Sequence, residues 1–219
     1  MTRRMFFAAA SLALTASSLS AQSAADPDKA AKQTAPSPAG WSVRLDRPNA
    51  KREDIAFVTM GKGMHVTSGP AAIYWPAGDG ASGAYTVSAT ITQTKAPSHP
   101  EAFGLFIGGK DLDQPGQQYL YFLVRGDGKY MVKHRAGPDV HTVTDWTDSP
   151  AVAKQDANGK ATNALSVVVS ATAVTFKANG KDVASMPKSA LKAFSVDGIA
   201  GLRVNHNLDV HIGDFAVTK

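Results

Sequence analysis

The sequence predicts an all-β protein, a two-sheet antiparallel jelly-roll sandwich with little helix. Three observations carry this. Beyond Trp41, apolar and polar residues alternate with a period of two; Gly-, Asn- and Asp-containing turn signals separate the alternating runs; and segments with a helical period are nearly absent. About a dozen strands with no fixed sequence repeat are best packed as two facing sheets, since a propeller or solenoid would repeat. The chain has 219 residues, 43% of them hydrophobic and 19% charged. That composition excludes a disordered chain, and no stretch approaches the roughly 20 apolar residues of a membrane-spanning helix.

Taken in order, residues 1–21 have the form of a signal peptide. Arg3 and Arg4 precede a short apolar stretch from Met5 to Leu14, and small residues follow, so cleavage is expected after Ala21 or as late as Ala25. Thr2 to Phe7 also fits the twin-arginine export signal, with an ordinary secretory signal as the alternative. Export to a bacterial periplasm or medium is therefore expected. The chain has no cysteine, so neither a lipid on Cys nor a disulfide would support the exported domain. Residues 22–40 are mostly small and polar and read as a disordered tether, with the folded domain spanning 41–219. The formal charge is +5, or +3 once Arg3 and Arg4 are gone. The remaining basic residues are scattered, which excludes a nucleic-acid-binding stripe.

Expected strands cover residues 41–45, 55–60, 71–75, 83–94, 102–107, 118–125, 129–135, 140–144, 164–170, 173–178, 181–184, 199–204 and 208–217. The fourth alternates Tyr85, Val87, Ala89 and Ile91 with Thr and Ser, the pattern of a half-buried strand. The sixth carries Leu120, Phe122 and Val124 on one side and Tyr119, Tyr121, Leu123 and Arg125 on the other, which suits a central strand covered on both faces. Asp127-Gly128 and Asn179-Gly180 both favour two-residue hairpin turns. Pro187 to Phe194 is the one segment suited to a helical turn or two.

The run Tyr119 to Tyr130 with its Asp127-Gly128 turn, Trp146 to Ser149 before an expected strand, Asn163 to Leu165, Val174 to Gly180, Gly198 to Leu202 and Asp214 to Val217 form a recognisable series. It resembles the laminin G-like and concanavalin A-like jelly rolls of bacterial exported proteins, near the group named after 3-keto-disaccharide hydrolases. The resemblance runs from Tyr85 to the C-terminus and implies a fold more than an activity. It implies a sheet face and rim loops turned towards a carbohydrate or another ligand.

For chemistry, a glycosidase needs two carboxyl groups flanking the scissile bond. The chain has only two glutamates, Glu53 and Glu101, in separate segments, and no Glu-x-Asp pattern, which argues against a glucanase of the concanavalin-like type. A hydrolase alternative would draw on Glu101, Asp111 or His206. Asp111 and Asp113 could instead hold calcium. His206, Asp209 and His211 form a polar stretch between the last two strands, able to contact a polar ligand or, less simply, a transition metal. Trp41, Trp75 and Trp146 are expected to pack, with Trp75 placed to reach a rim. Tyr119, Tyr121, Arg125 and Arg135, with Lys133 alternating beside them, combine aromatic faces with charged forks, a surface that suits a saccharide. The expected function is a non-catalytic domain binding a glycan or small polar ligand through Tyr119, Tyr121, Arg125, Arg135, Asn205 and His206, without a cofactor. A platform for envelope proteins, working through its edge strands, is the third alternative. Oligomeric state is not legible.

Overall fold

A computed structural model describes residues 36–78, 80–191 and 194–219. The expected signal peptide, residues 1–21, and residues 22–35 of the expected tether lie outside the described residues. Among the described residues fourteen strands follow in chain order: β1 (Trp41–Leu45), β2 (Ile55–Met60), β3 (Gly63–Ser68), β4 (Ala72–Pro76), β5 (Tyr85–Gln93), β6 (Ala102–Lys110), β7 (Gln118–Arg125), β8 (Lys129–Ala136), β9 (Asp139–Asp148), β10 (Ala161–Val169), β11 (Ala173–Ala178), β12 (Lys181–Pro187), β13 (Ile199–Val204) and β14 (Leu208–Thr218). They form two seven-stranded antiparallel sheets. The front sheet has the order β1-β4-β13-β6-β7-β8-β9, and the back sheet β12-β11-β10-β5-β14-β3-β2.

The period-two pattern dictates which side chains meet between the sheets. Phe103, Leu105 and Ile107 of β6 and Leu120, Phe122 and Val124 of β7 face Val87, Ile91, Val167, Phe176 and Val210 of the back sheet. Phe122 and Phe176 bridge the layers with ring centroids 5.4 Å apart. Each such buried side chain contributes about 1.5–3 kcal/mol by leaving water. β7 is covered on its second face too. Tyr119, Tyr121 and Leu123 join Ile73, Ala102, Phe106, Leu112 and Met131 in a smaller apolar layer on the outer side of the front sheet.

Four local expectations are corrected. β3 has no counterpart among the expected strands; its alternation of Met64, Val66 and Ser68 inward with His65 and Thr67 outward is hidden by one histidine and three small or polar residues. The turn after β7 is not a two-residue one, because Gly126, Asp127 and Gly128 form a three-residue loop in which only Gly128 has positive φ (87°). One left-handed glycine suffices for that loop, and Asp127 turns back onto Arg125 instead. Trp146 sits within β9 rather than before a strand, since register shifts in β8 between Tyr130 and Lys133 let pairing run on to Asp148. The strand expected from Ala164 begins at Ala161, where Asn163 turns inward. By contrast, Asn179 and Gly180 both have positive φ (51° and 78°), as a type I′ turn requires. The expected helical segment is one 3-10 turn, Lys188–Leu191, after Pro187 has closed β12. Among the described residues no helix is long and apolar enough to cross a membrane.

Candidate functional site

The outer face of the front sheet is built on the odd-numbered side chains of β7. Their rings form a floor. Tyr119 is 1% exposed and Tyr121 4%, so the expected aromatic shelf is corrected: both tyrosines lie beneath other side chains. The cover is polar. Arg203 of β13 spans Tyr121 with its guanidinium 4.9 Å from the ring centroid and donates from Nη1 to the Tyr119 hydroxyl at 3.1 Å and to Asp46 at 2.9 Å. Burial disfavours the charge on Arg203, but the Asp46 carboxylate facing it outweighs that and holds the guanidinium above its ordinary value. Burial likewise pushes the Asp46 carboxyl up, and the guanidinium of Arg203, helped by Arg135 and Arg44, outweighs that and holds it below the usual carboxylate range.

Arg125 and Arg135 share this face but are engaged locally. Arg125 grips Asp127 through Nε and Nη2 and lies 4.2 Å over the Trp146 ring. Arg135 donates from Nε to the Gly137 carbonyl at 2.6 Å. Register separates the six expected contacts. Tyr119 pairs with Arg135 near the β6–β7 loop, whereas Arg125 pairs with Ala102 at the other end, where Asn205 N donates to the Ala102 carbonyl. Six residues of strand, roughly 20 Å, divide the two groups.

At the first end a cleft of about 560 Å³ opens between β1, β4 and the β6–β7 loop, lined by Ser42, Trp75, Asp111, Leu112, Asp113 and Ile199. The loop is held in place by three features. Asp111 takes the left-handed conformation (φ 50°), Leu112 is buried in the outer apolar layer, and Arg44 donates from Nη1 to the carbonyls of Leu112 and Gln114 at 3.1 and 2.9 Å. Leu112 thus faces inward while Asp111 and Asp113 are exposed beside the half-buried Trp75. A flat ring, two acceptors and a hydroxyl in one concavity can hold a polar ligand with apolar C–H faces.

At the opposite end Glu101 and His206 meet, joined by His99, which sequence reasoning missed. The His206 Nε2 lies 2.6 Å and the His99 Nδ1 3.2 Å from the same Glu101 oxygen. The signal available was the spacing His99-Pro100-Glu101, which in an extended segment puts two ligating side chains on one side. Asp111 lies at the far end of β6 from this group. Asp209 does not join His206 either; it faces out of the back sheet against His65 and Lys95, each at 2.9 Å, while His211 stacks on His65. Burial raises the Asp209 carboxyl, and hydrogen bonds from Thr94 and Lys95 with the charges of His65 and Lys95 bring it below its ordinary value.

No family model matches the chain, and no curated protein does. Solved structures do. A carbohydrate-binding module from Bacillus subtilis is 11% identical over 86% of this chain and 98% of its own, with a TM-score of 0.57. A Bacillus subtilis protein of unknown function with a galectin-like fold is 13% identical over 81% and 88%, with a TM-score of 0.58. An alginate lyase of polysaccharide lyase family 7 is 12% identical over 82% and 94%, with a TM-score of 0.54. The domain is a concanavalin A-like jelly-roll sandwich.

Proposed function

We propose that this chain is an exported carbohydrate-binding sandwich domain that holds a glycan, without cleaving it, in the cleft walled by Trp75, Asp111 and Asp113. The observation that carries the reading is the composition of that cleft: an aromatic face together with two exposed aspartates and Ser42, in a volume of about 560 Å³. A sugar ring stacks its C–H face on an indole and donates its hydroxyls to carboxylates, so the two chemistries needed for a saccharide line one concavity. The similar Bacillus subtilis module is by name a carbohydrate binder built on the same fold, and the signal-like residues 1–21 support export. Under this reading Tyr119, Tyr121, Arg203 and Arg44 are supports that fix the floor and loop.

Native mass spectrometry and calorimetry of the chain with a panel of oligosaccharides, 3-keto disaccharides included, test it. Intact one-to-one adducts are expected, and Trp75→Ala is expected to weaken them at least tenfold with the far-ultraviolet spectrum unchanged. Equal affinity in Trp75→Ala would remove the glycan from this cleft. Cleaved products that grow with time would make the protein a hydrolase and turn attention to Asp111 and Asp113 as its carboxyl pair.

A further inference from the structure

The end of the sandwich away from the cleft carries a second constellation, created by topology. Of the five crossovers that pass between the sheets at that end, two carry it, from β5 to β6 and from β13 to β14. β5 and β14 are neighbours in the back sheet and β6 and β13 in the front one, so the crossovers must run side by side. Backbone bonds tie them at both feet, Asn205 N to the Ala102 carbonyl and Thr94 N to the Asp209 carbonyl, each 2.9 Å. His99 and Glu101 come from the first crossover and His206 from the second.

One ligand atom from each of the three lies within 4.8 Å of the others. Both imidazole nitrogens converge on one carboxylate oxygen, and the two rings lie 5.4 Å apart at their centroids. The side chains of Glu101 and His206 are 9% and 17% exposed, and that of His99 is 42% exposed. We propose that His99, Glu101 and His206 form a binding site for a divalent transition metal of the zinc class. Two neutral imidazoles and one carboxylate are the donor set such an ion takes, whereas calcium and magnesium need oxygen ligands that this group does not provide. Metal–ligand bonds of about 2.0–2.2 Å in a tetrahedron place the ligand atoms about 3.4 Å apart. The Glu101 oxygen lies near that distance from His99, at 3.2 Å, and closer to His206, at 2.6 Å, so an ion entering the group would have to part the Glu101–His206 pair. The third protein ligand completes the set on the buried side and leaves the fourth position towards solvent, beside His99, for water or an oxygen of a bound molecule. The neighbouring Asp209 group differs in its charge, because the Lys95 ammonium already sits on one of its carboxylate oxygens.

The test is calorimetric titration of the tag-free full chain with zinc chloride near pH 7.5, with cobalt(II) absorption as a second readout and calcium chloride as a control. One equivalent of zinc is expected to bind, cobalt to give the intense visible bands of a tetrahedral site, and calcium to give no heat. His206→Ala and Glu101→Gln are expected to lower zinc affinity at least tenfold. His99→Ala, on the most exposed side chain of the three, is expected to do the same, while His65→Ala leaves binding unchanged. Zinc is also expected to raise the melting temperature of the wild type and not of His99→Ala, since a ligand bound only by the folded state stabilises it. No saturable binding, or binding that survives both His99→Ala and His206→Ala, would leave the cluster an ion pair between crossovers and overturn the proposal.

Discussion

Arg203 shows how one side chain sets the character of a face. Its guanidinium is bound to Asp46 and Tyr119 and spans Tyr121, so a strand end that would otherwise expose two tyrosines is closed by a largely buried ion pair. Asp46→Asn removes the opposing charge and leaves a buried guanidinium uncompensated. Breaking a buried pair costs about 3–5 kcal/mol, and with the Asp46 side chain 22% exposed the expected loss is about 2 kcal/mol. Urea denaturation at pH 7 measures it, and an unchanged midpoint would contradict it. The sign with pH follows from linkage. The folded carboxyls of Asp46 and Asp209 both lie below the ordinary aspartate value of 3.8, so their contribution is complete above about pH 4 and is lost as pH falls through the folded values. The gap between wild type and Asp46→Asn should therefore be constant from about pH 5 to 7 and shrink below about pH 4.

Among elements, β13 shows how neighbouring strands constrain a sequence. A Cβ at Gly201 would stand 2.3 Å from the Tyr74 carbonyl and 2.5–2.6 Å from the Phe106 ring. The ring can turn only by leaving the outer apolar layer, and the carbonyl belongs to β4, next to β13 in the sheet. Gly201→Ala is expected to cost about 1–3 kcal/mol, the range for overpacking, read as a fall in melting temperature; a neutral effect would show that the sheet gives way there. Elements also mark how far local reading reaches. The ends of β1, β2, β7, β11 and β13 fall where alternation and turn residues place them, because both signals are local. Asn179-Gly180 makes the turn its own residues favour for the same reason. Asp127-Gly128 does not, because Arg125 draws Asp127 back and a longer loop then closes with a single left-handed residue.

At the scale of the whole molecule, six of the twelve strand pairings among the described residues join strands that are not consecutive in the chain. β3 pairs with β14, β4 with β13, and β1 reaches the sheet through β4. Such pairings must be closed before they stabilise anything, so refolding at about 25 °C is expected on the millisecond-to-second scale typical of sandwiches. Stopped-flow tryptophan fluorescence checks this, and a microsecond relaxation would refute it. The same topology makes both candidate sites, the cleft where β1 and β4 meet the β6–β7 loop and the histidine cluster where two crossovers run in parallel.

Sequence alone determined the class of fold, the central place of β7 and the apolar side of each main strand, since a period of two is written in adjacent residues. It also singled out Glu101, His206, Asp111 and Asp113, each by its chemistry. Only the tertiary structure decided which of them meet. Leu112 drew its loop over the front sheet and set two aspartates beside Trp75; Arg203 covered the tyrosines that were expected to be exposed; and His206 came to His99 and Glu101 from a distant part of the chain. Those meetings depend on which strands lie side by side and in what register, and that is settled by packing of the entire core rather than by any stretch of neighbouring residues.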